Sequence, residues 1–242
     1  MTAAGAEPTA ILELRDLHAS IGVSHILQGV TFSVPRNKTT VILGRNGVGK
    51  TTTFRAVLGL VRRTGSVVFN GQRIDALTTH DVVRAGIAYV PEDRDIFRGL
   101  TVEENLRLAE RAGHEHRYDL VHDLFPELKQ RAKQMAGTLS GGQQQMVSLG
   151  RGLLNDVPLI LVDEPTKGLA PRLVLEVMEV LDRVQSLATV LMVEQNLSAA
   201  RRLAGHVVVI SEGRVTYEGS ADLLDKDEEL RGLLGFTTGV QH

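Results

Sequence analysis

The sequence runs to 242 residues, 43% hydrophobic and 23% charged, with a formal net charge of −2. This is ordinary globular composition, long enough for a well-buried core. The near-neutral balance lacks the basic footprint of a nucleic-acid binder, and the absence of cysteine rules out disulfides and thiolate-ligated metals.

In chain order, residues 1–10 are small and have neither a basic start nor a long apolar run, so they read as a flexible tail and not a signal peptide. Apolar residues near period two predict strands over 11–17 and 26–34. A short apolar strand over 41–43 runs into Gly44, and a helix is expected from Lys50 to about Leu60. A strand at 66–70 ends at Gly71, residues 80–85 look helical, and 87–90 is a strand before Pro91. From about 96 to 154 the character becomes helical. Thr101 and Glu104 form a capping box, with Leu106, Leu108 and Ala109 as apolar positions behind it. A polar break at 113–117 precedes a second helix over 118–125, stopped near Pro126, and a third helix opens at Ser140. An apolar strand at 159–162 is followed by an amphipathic helix at 172–187, whose apolar face over 173–181 is expected to point at the core. Strands at 189–193, 207–210 and 215–217, with a helix at 197–203 and a turn at Glu212-Gly213, complete the pattern. Residues 225–229 read as a solvated helix start. Continuous apolar strands alternating with helices mean a parallel sheet covered on both faces. No apolar run is long enough to span a bilayer.

The motif Gly44-Arg45-Asn46-Gly47-Val48-Gly49-Lys50-Thr51 is a full phosphate-binding loop in its proper context, strand before and helix after. Its glycines let backbone N–H groups turn toward phosphate oxygens, and Thr52 continues the helix N-terminus that adds its positive dipole end. Lys50 is a point charge for the outer phosphates of ATP, and the Thr51 hydroxyl suits Mg²⁺. A Gly-rich turn that merely joins strand to helix is the bland alternative. Asp163 and Glu164 then sit at the C-terminal end of a buried strand, the edge where parallel sheets bind ligands. Asp163 suits the Mg²⁺ shell, and Glu164 is the candidate general base for the attacking water. By itself such a pair would be a solvated turn; the loop upstream reverses that reading.

Leu139-Ser140-Gly141-Gly142-Gln143 lies between the two, with Ser140 as a helix cap and the glycines open to close approach by a phosphate. The three motifs in this order resemble the nucleotide-binding domain of ABC transporters, and the resemblance covers about 12–219. It implies a P-loop NTPase α/β fold with an antiparallel β subdomain and an inserted helical subdomain at about 96–154, all within one domain over 11–237. It also implies head-to-tail pairing, in which Ser140, Gly141, Gly142 and Gln143 of one subunit meet the γ-phosphate of ATP held by the other. Val90-Pro91-Glu92 aligns with the loop that couples the metal site to the membrane partner, with Glu92 in place of the usual Gln. Gln195 stands where most relatives have a titratable His. Ile21 falls where an aromatic ring usually stacks on adenine, an absence expected to weaken base discrimination. Arg36-Asn37-Lys38 replaces the usual turn and reads as a surface hairpin difference.

Val90-Pro-Glu92, Gly168-Leu-Ala-Pro171 and Val193-Glu-Gln-Asn196 together are similar to the ATPase subunits of branched-chain amino-acid importers. Urea and amide importers share much of this pattern. The resemblance implies a second ATPase subunit, identical or different, transmembrane permease subunits, an indirect solute-binding protein, and a peripheral place on the cytoplasmic face of the inner membrane. A soluble ABC ATPase acting on ribosomes or DNA would carry two cassettes or a long coiled-coil insertion. A third possibility is a subunit of little catalytic power paired with an active partner; Glu164 argues against it, while Gln195 leaves it open. His114 and His116 flank Glu115 and could be imagined as a metal site, but they read as an exposed inter-helix loop. Asp93-Arg94-Asp95 reads equally as a partner contact or a solvated loop.

Overall fold

The computed structural model describes residues 10–113 and 115–224. The segment 1–9, His114, the charged stretch at 225–229 and the expected end of the domain at 237 lie outside these residues. Strands β1 (Ala10–Ile21) and β2 (Ser24–Pro35) form an antiparallel hairpin, and β3 (Thr39–Leu43) follows. Ala10, assigned from sequence to the N-terminal tail, pairs with Pro35 as the first residue of β1. Helix α1 (Lys50–Val57) stops short of Leu60: Leu58 is its cap and Gly59 turns away with φ 74°. The Arg63 guanidinium takes up the helix's last carbonyls, bonding Ala56 O and, at 2.8 Å, Val57 O. Next come β4 (Arg62–Phe69), β5 (Gln72–Arg73), α2 (Thr79–Arg84) and β6 (Ile87–Val90).

Helix α3 (Val102–Arg107) has the predicted capping box: Thr101 accepts from the Glu104 N–H, and the Glu104 carboxylate accepts from the Thr101 N–H at 2.8 Å. Helix α4 (Tyr118–Leu124) gives way at Phe125 to a separate helix, α5 (Pro126–Gln130). Pro126, read from sequence as a stop, is also a start, since proline at the first helical position forfeits only an N–H that has no intrahelical partner. Helix α6 (Gly141–Leu153) leads to β7 (Leu159–Asp163), α7 (Pro171–Val184), β8 (Thr189–Val193), α8 (Leu197–Leu203), β9 (His206–Ser211) and β10 (Arg214–Ser220).

Internal packing separates residues up to Arg84, together with those from Ala204 on, from residues Ala85–Leu203. The first unit holds an antiparallel sheet ordered β2-β1-β4-β5, and β9 running parallel to β3 with β10 antiparallel on its other side. Its core includes Leu12, Leu14, Phe32, Ile42, Phe54 and Phe69. Residues Arg36–Lys38 are not a hairpin turn: β2 and β3, which they join, are not paired with each other. In the second unit β6, β7 and β8 form parallel pairs whose β7 and β8 residues are all buried, as expected of strands covered on both faces. Helix α6 packs on β6, α3 and α5. Two apolar positions depart from expectation. Leu108 caps α3 and is exposed, and Leu175 on α7 points to solvent while Val177, Met178 and Leu181 face inward. Among the described residues no helix is long and apolar enough to cross a membrane.

Candidate active site

The phosphate loop belongs to the first unit. Strand β3 delivers the chain to Gly44, whose φ of 151° and surroundings admit no side chain: an added Cβ would lie 2.2 Å from the Ile210 carbonyl oxygen. The far side of the loop is tied by the Gly213 N–H donating to Val48 O at 3.1 Å. Gly49 caps α1 with no side-chain hydrogen bond, so the first-turn amides of α1 have no capping side chain at that position. Lys50 is buried, and its ammonium donates to Gly44 O at 2.9 Å and Arg45 O at 3.0 Å. Arg45, Asn46 and Gly47 are exposed, Val48 and Thr51 half-buried, and Thr52 buried. A curled backbone with a poised cation suits an oxyanion, which fits the phosphates of ATP. Ile21, at the end of β1, is exposed.

The carboxylates belong to the second unit. Strand β7 places Asp163 in full burial, where its Oδ2 accepts from the Tyr89 hydroxyl at 3.2 Å. The next residue, Glu164, has φ 43°, a conformation uncommon outside glycine and fixed here by its N–H donating to Val193 O at 3.0 Å. Its side chain is 7% exposed, and the two carboxylate oxygens are held differently: Oε1 accepts from Gln195 Nε2 at 2.5 Å, and Oε2 lies 3.4 Å from Lys167 Nζ. Lys167 Nζ also bonds Glu92 Oε1. The Glu92 hydrogen bond first, and then the Glu164 charge, hold the Lys167 ammonium above its ordinary range.

Gln195 is oriented by its neighbour. Glu194 is 2% exposed and accepts from four donors: Thr166 Oγ1 at 2.5 Å and Thr166 N at 3.3 Å on Oε1, Gln195 N at 2.8 Å and Asn196 N at 2.9 Å on Oε2. A buried carboxylate satisfied this way locks the end of β8 to the turn after β7. Glu92, Glu164 and Gln195 are therefore brought together. The residues that join or steady them, Lys167 and Glu194, and Tyr89 beside Asp163, were not singled out from sequence. A lysine three residues after the acidic Glu164, and a carboxylate adjacent to the Gln, were the available signals.

Ser140 lies elsewhere in the same unit. Its hydroxyl accepts from the Gln143 N–H at 3.3 Å while Gln143 Oε1 accepts from the Ser140 N–H at 3.0 Å, a reciprocal cap that leaves Ser140 and Gly141 exposed. The Gln143 amide further donates to Glu127 at 2.8 Å. Gly142 is buried against Leu173, whose Cδ1 would lie 2.5 Å from an added Cβ. The loop 91–95 reaches this helix through Arg94, which donates to Gln145 Oε1 at 3.1 Å and to Lys167 O at 3.4 Å. His116 accepts from the Arg111 N–H at 3.0 Å and serves its own loop. Among the described residues no cluster of three or more His, Asp or Glu side chains is arranged to hold a metal ion. The Thr51 hydroxyl in the first unit and the Asp163 carboxylate in the second are each hard oxygen donors of the kind Mg²⁺ takes.

The family model described as ABC transporter matches residues 27–167. BraG, the high-affinity branched-chain amino acid transport ATP-binding protein of Pseudomonas aeruginosa, is 35% identical over 216 residues, spanning 87% of this chain and 93% of its own length. LptB, the lipopolysaccharide export system ATP-binding protein of Escherichia coli, is 28% identical over 230 residues, covering 92% of this chain and 95% of its own. A solved ATP-binding subunit of an ABC transporter superposes with a TM-score of 0.78 at 30% identity, covering 92% of this chain and 95% of its own. With its phosphate loop, its strand-end carboxylates and its capped Ser140 helix, the chain belongs to the ABC transporter family as an ATP-binding, ATP-hydrolysing subunit.

Proposed function

We propose that this chain powers the import of branched-chain amino acids, working in a pair of ATPase subunits against separate transmembrane permease subunits on the cytoplasmic face of the membrane. One observation carries the cargo reading, the 35% identity to BraG over most of both chains; the hydrolytic part is supported by Gln195, which donates directly to the Glu164 carboxylate at 2.5 Å.

In this reading the loop from Gly44 to Gly49, with Lys50, Thr51 and Thr52, binds the nucleotide phosphates, and Ile21 lies beside the base. Thr51, Asp163 and Glu92 would offer oxygen donors to Mg²⁺, which would neutralise charge on the phosphate oxygens. Glu164 accepts the proton of the attacking water, and the Gln195 amide fixes the carboxylate that receives it. Ser140, Gly141, Gly142 and Gln143 present a capped helix start to the nucleotide of the second subunit. Closure of the pair on ATP and reopening after hydrolysis deliver work as a difference in affinity between two states. A solute-binding protein would deliver cargo to the permease. The likeness to LptB favours a second reading, in which another solute is moved by the same engine.

Replacing Glu164 by Gln tests the core of the proposal. The variant should bind ATP, turn over at least a hundredfold more slowly, and dimerise with ATP but not ADP when weighed in solution, alone or mixed with a second ATPase chain. A variant that hydrolyses ATP at the wild-type rate would remove Glu164 as the base. Reconstitution with candidate permeases then separates leucine uptake from movement of another solute.

A further inference from the structure

We infer that Lys167 is a positioning residue for hydrolysis, its ammonium set between the Glu92 and Glu164 carboxylates so that the loop after β6 and the general base are held as one unit. The inference rests on the reading of Glu164 as the base. Three observations carry it. First, Lys167 Nζ bonds Glu92 and stands 3.4 Å from Glu164 Oε2, while the opposite oxygen of Glu164 is occupied by Gln195. The base carboxylate is thus gripped from both sides, by an amide and by an ammonium. Second, the main chain at Lys167 is tied in too: its N–H donates to Glu164 O at 3.1 Å, and its carbonyl accepts from Arg94 at 3.4 Å. Arg94 and Asp95 both sit at positive φ, 65° and 43°, so the 91–95 loop holds an uncommon conformation where it meets residue 167. Third, the charges are complementary. The Glu92 carboxylate brings a second negative charge toward Glu164, with the Lys167 ammonium in reach of both. Like charges at a shared site repel and displace one another unless a cation lies between them, and Lys167 is placed to do that.

A plain surface ion pair is the competing account. The Lys167 side chain is 54% exposed, and exposed pairs contribute little to stability. The two accounts therefore diverge cleanly. A surface pair predicts no kinetic effect. A positioning role predicts a kinetic effect without loss of fold.

Steady-state ATP hydrolysis by the full chain is the test, on Lys167→Ala, Lys167→Arg, Glu92→Gln with Lys167→Ala, and Glu164→Gln, with thermal unfolding of each. Lys167→Ala should keep its unfolding temperature and its KM for ATP within twofold, and lose kcat about tenfold. Lys167→Arg, which retains the charge, should recover at least a third of the wild-type rate. The double variant, which removes the carboxylate in need of a counter-charge, should be several-fold faster than Lys167→Ala alone. Wild-type kcat in Lys167→Ala, or a double variant as slow as the single one, overturns the inference. If Glu164→Gln turns over like wild type, the base assignment has failed, and the role of Lys167 falls with it whatever the other variants show.

Discussion

Replacing Glu194 probes how firmly the second unit fixes Gln195. The carboxylate is 2% exposed and receives four donors, two from Thr166 and the N–H groups of Gln195 and Asn196. Glu194→Ala strips all four at once. A buried donor left unsatisfied costs about 1–3 kcal/mol, and hydrogen bonds to a charged acceptor are worth about 1.5–3 kcal/mol each. Recovery of the carboxylate's own desolvation cost, and water entering the space, offset part of that sum, so we expect a net loss of about 4 kcal/mol, in the range for breaking a buried charged network. Glu194→Gln keeps the shape but turns one oxygen into an NH₂ group. The Thr166 hydroxyl can rotate to accept from it, which leaves the 3.3 Å Thr166 N–H as the main unmet donor. That variant should lose about 2 kcal/mol. Urea unfolding of the full chain reads both values. ATP turnover reads the functional side: Glu194→Ala releases the Gln195 backbone, its 2.5 Å contact to Glu164 loosens, and kcat should fall about tenfold, whereas Glu194→Gln keeps the acceptor for the Gln195 N–H and should retain most of the rate. Equal stability of the Ala and Gln variants, or a loss under about 1 kcal/mol for Ala, would refute the four-donor argument.

Gly44→Ala should be severe, because the new methyl would meet the Ile210 carbonyl oxygen at 2.2 Å, and that oxygen is backbone and cannot swing aside as a side chain could. A loss of about 2–3 kcal/mol is expected in urea, with ATP affinity falling at least tenfold; unchanged affinity would show that the loop tolerates a side chain there. His206 supplies a pH dependence. Burial holds its imidazole below the ordinary 6.5, Lys38 adds to that shift, and the Glu218 carboxylate at 3.8 Å opposes it. The unfolded chain therefore takes up this proton first, so the contribution is fully present above the unfolded value and is lost as pH falls from about 6.5 toward the lower folded value. Unfolding temperature should drop between pH 7.5 and 5.5, and His206→Gln should flatten part of that slope; an unaltered slope would show that His206 does not contribute.

What could be read from sequence was what local chemistry decides. The phosphate loop, the strand ending at Asp163, and the caps at Thr101 and Ser140 each follow from a few adjacent residues, and the structure has these elements where the residues place them. Helix ends were less legible. Helix α7 stops at Val184, short of the apolar Leu187, and Pro126 opens a helix as well as closing one. Apolarity alone misjudged Leu108 and Leu175, because a leucine beside a core stripe looks like a member of it until the packing partner is known. Within the candidate site, Lys167 and Glu194 were invisible for a different reason. Their roles depend on Glu92 and Thr166, 75 and 28 residues away in the chain, arriving at hydrogen-bond distance.

The start of α6 is held from three directions: Gln143 to Glu127, Gln145 to Arg94, and Gly142 against Leu173. Its exposed first turn is thus rigid before anything docks on it. A donor array already fixed in place surrenders little freedom when an anion arrives, so more of each contact appears as affinity. Association at this surface would be set by the speed and orientation of approach, with slow ordering of the helix start taking no part.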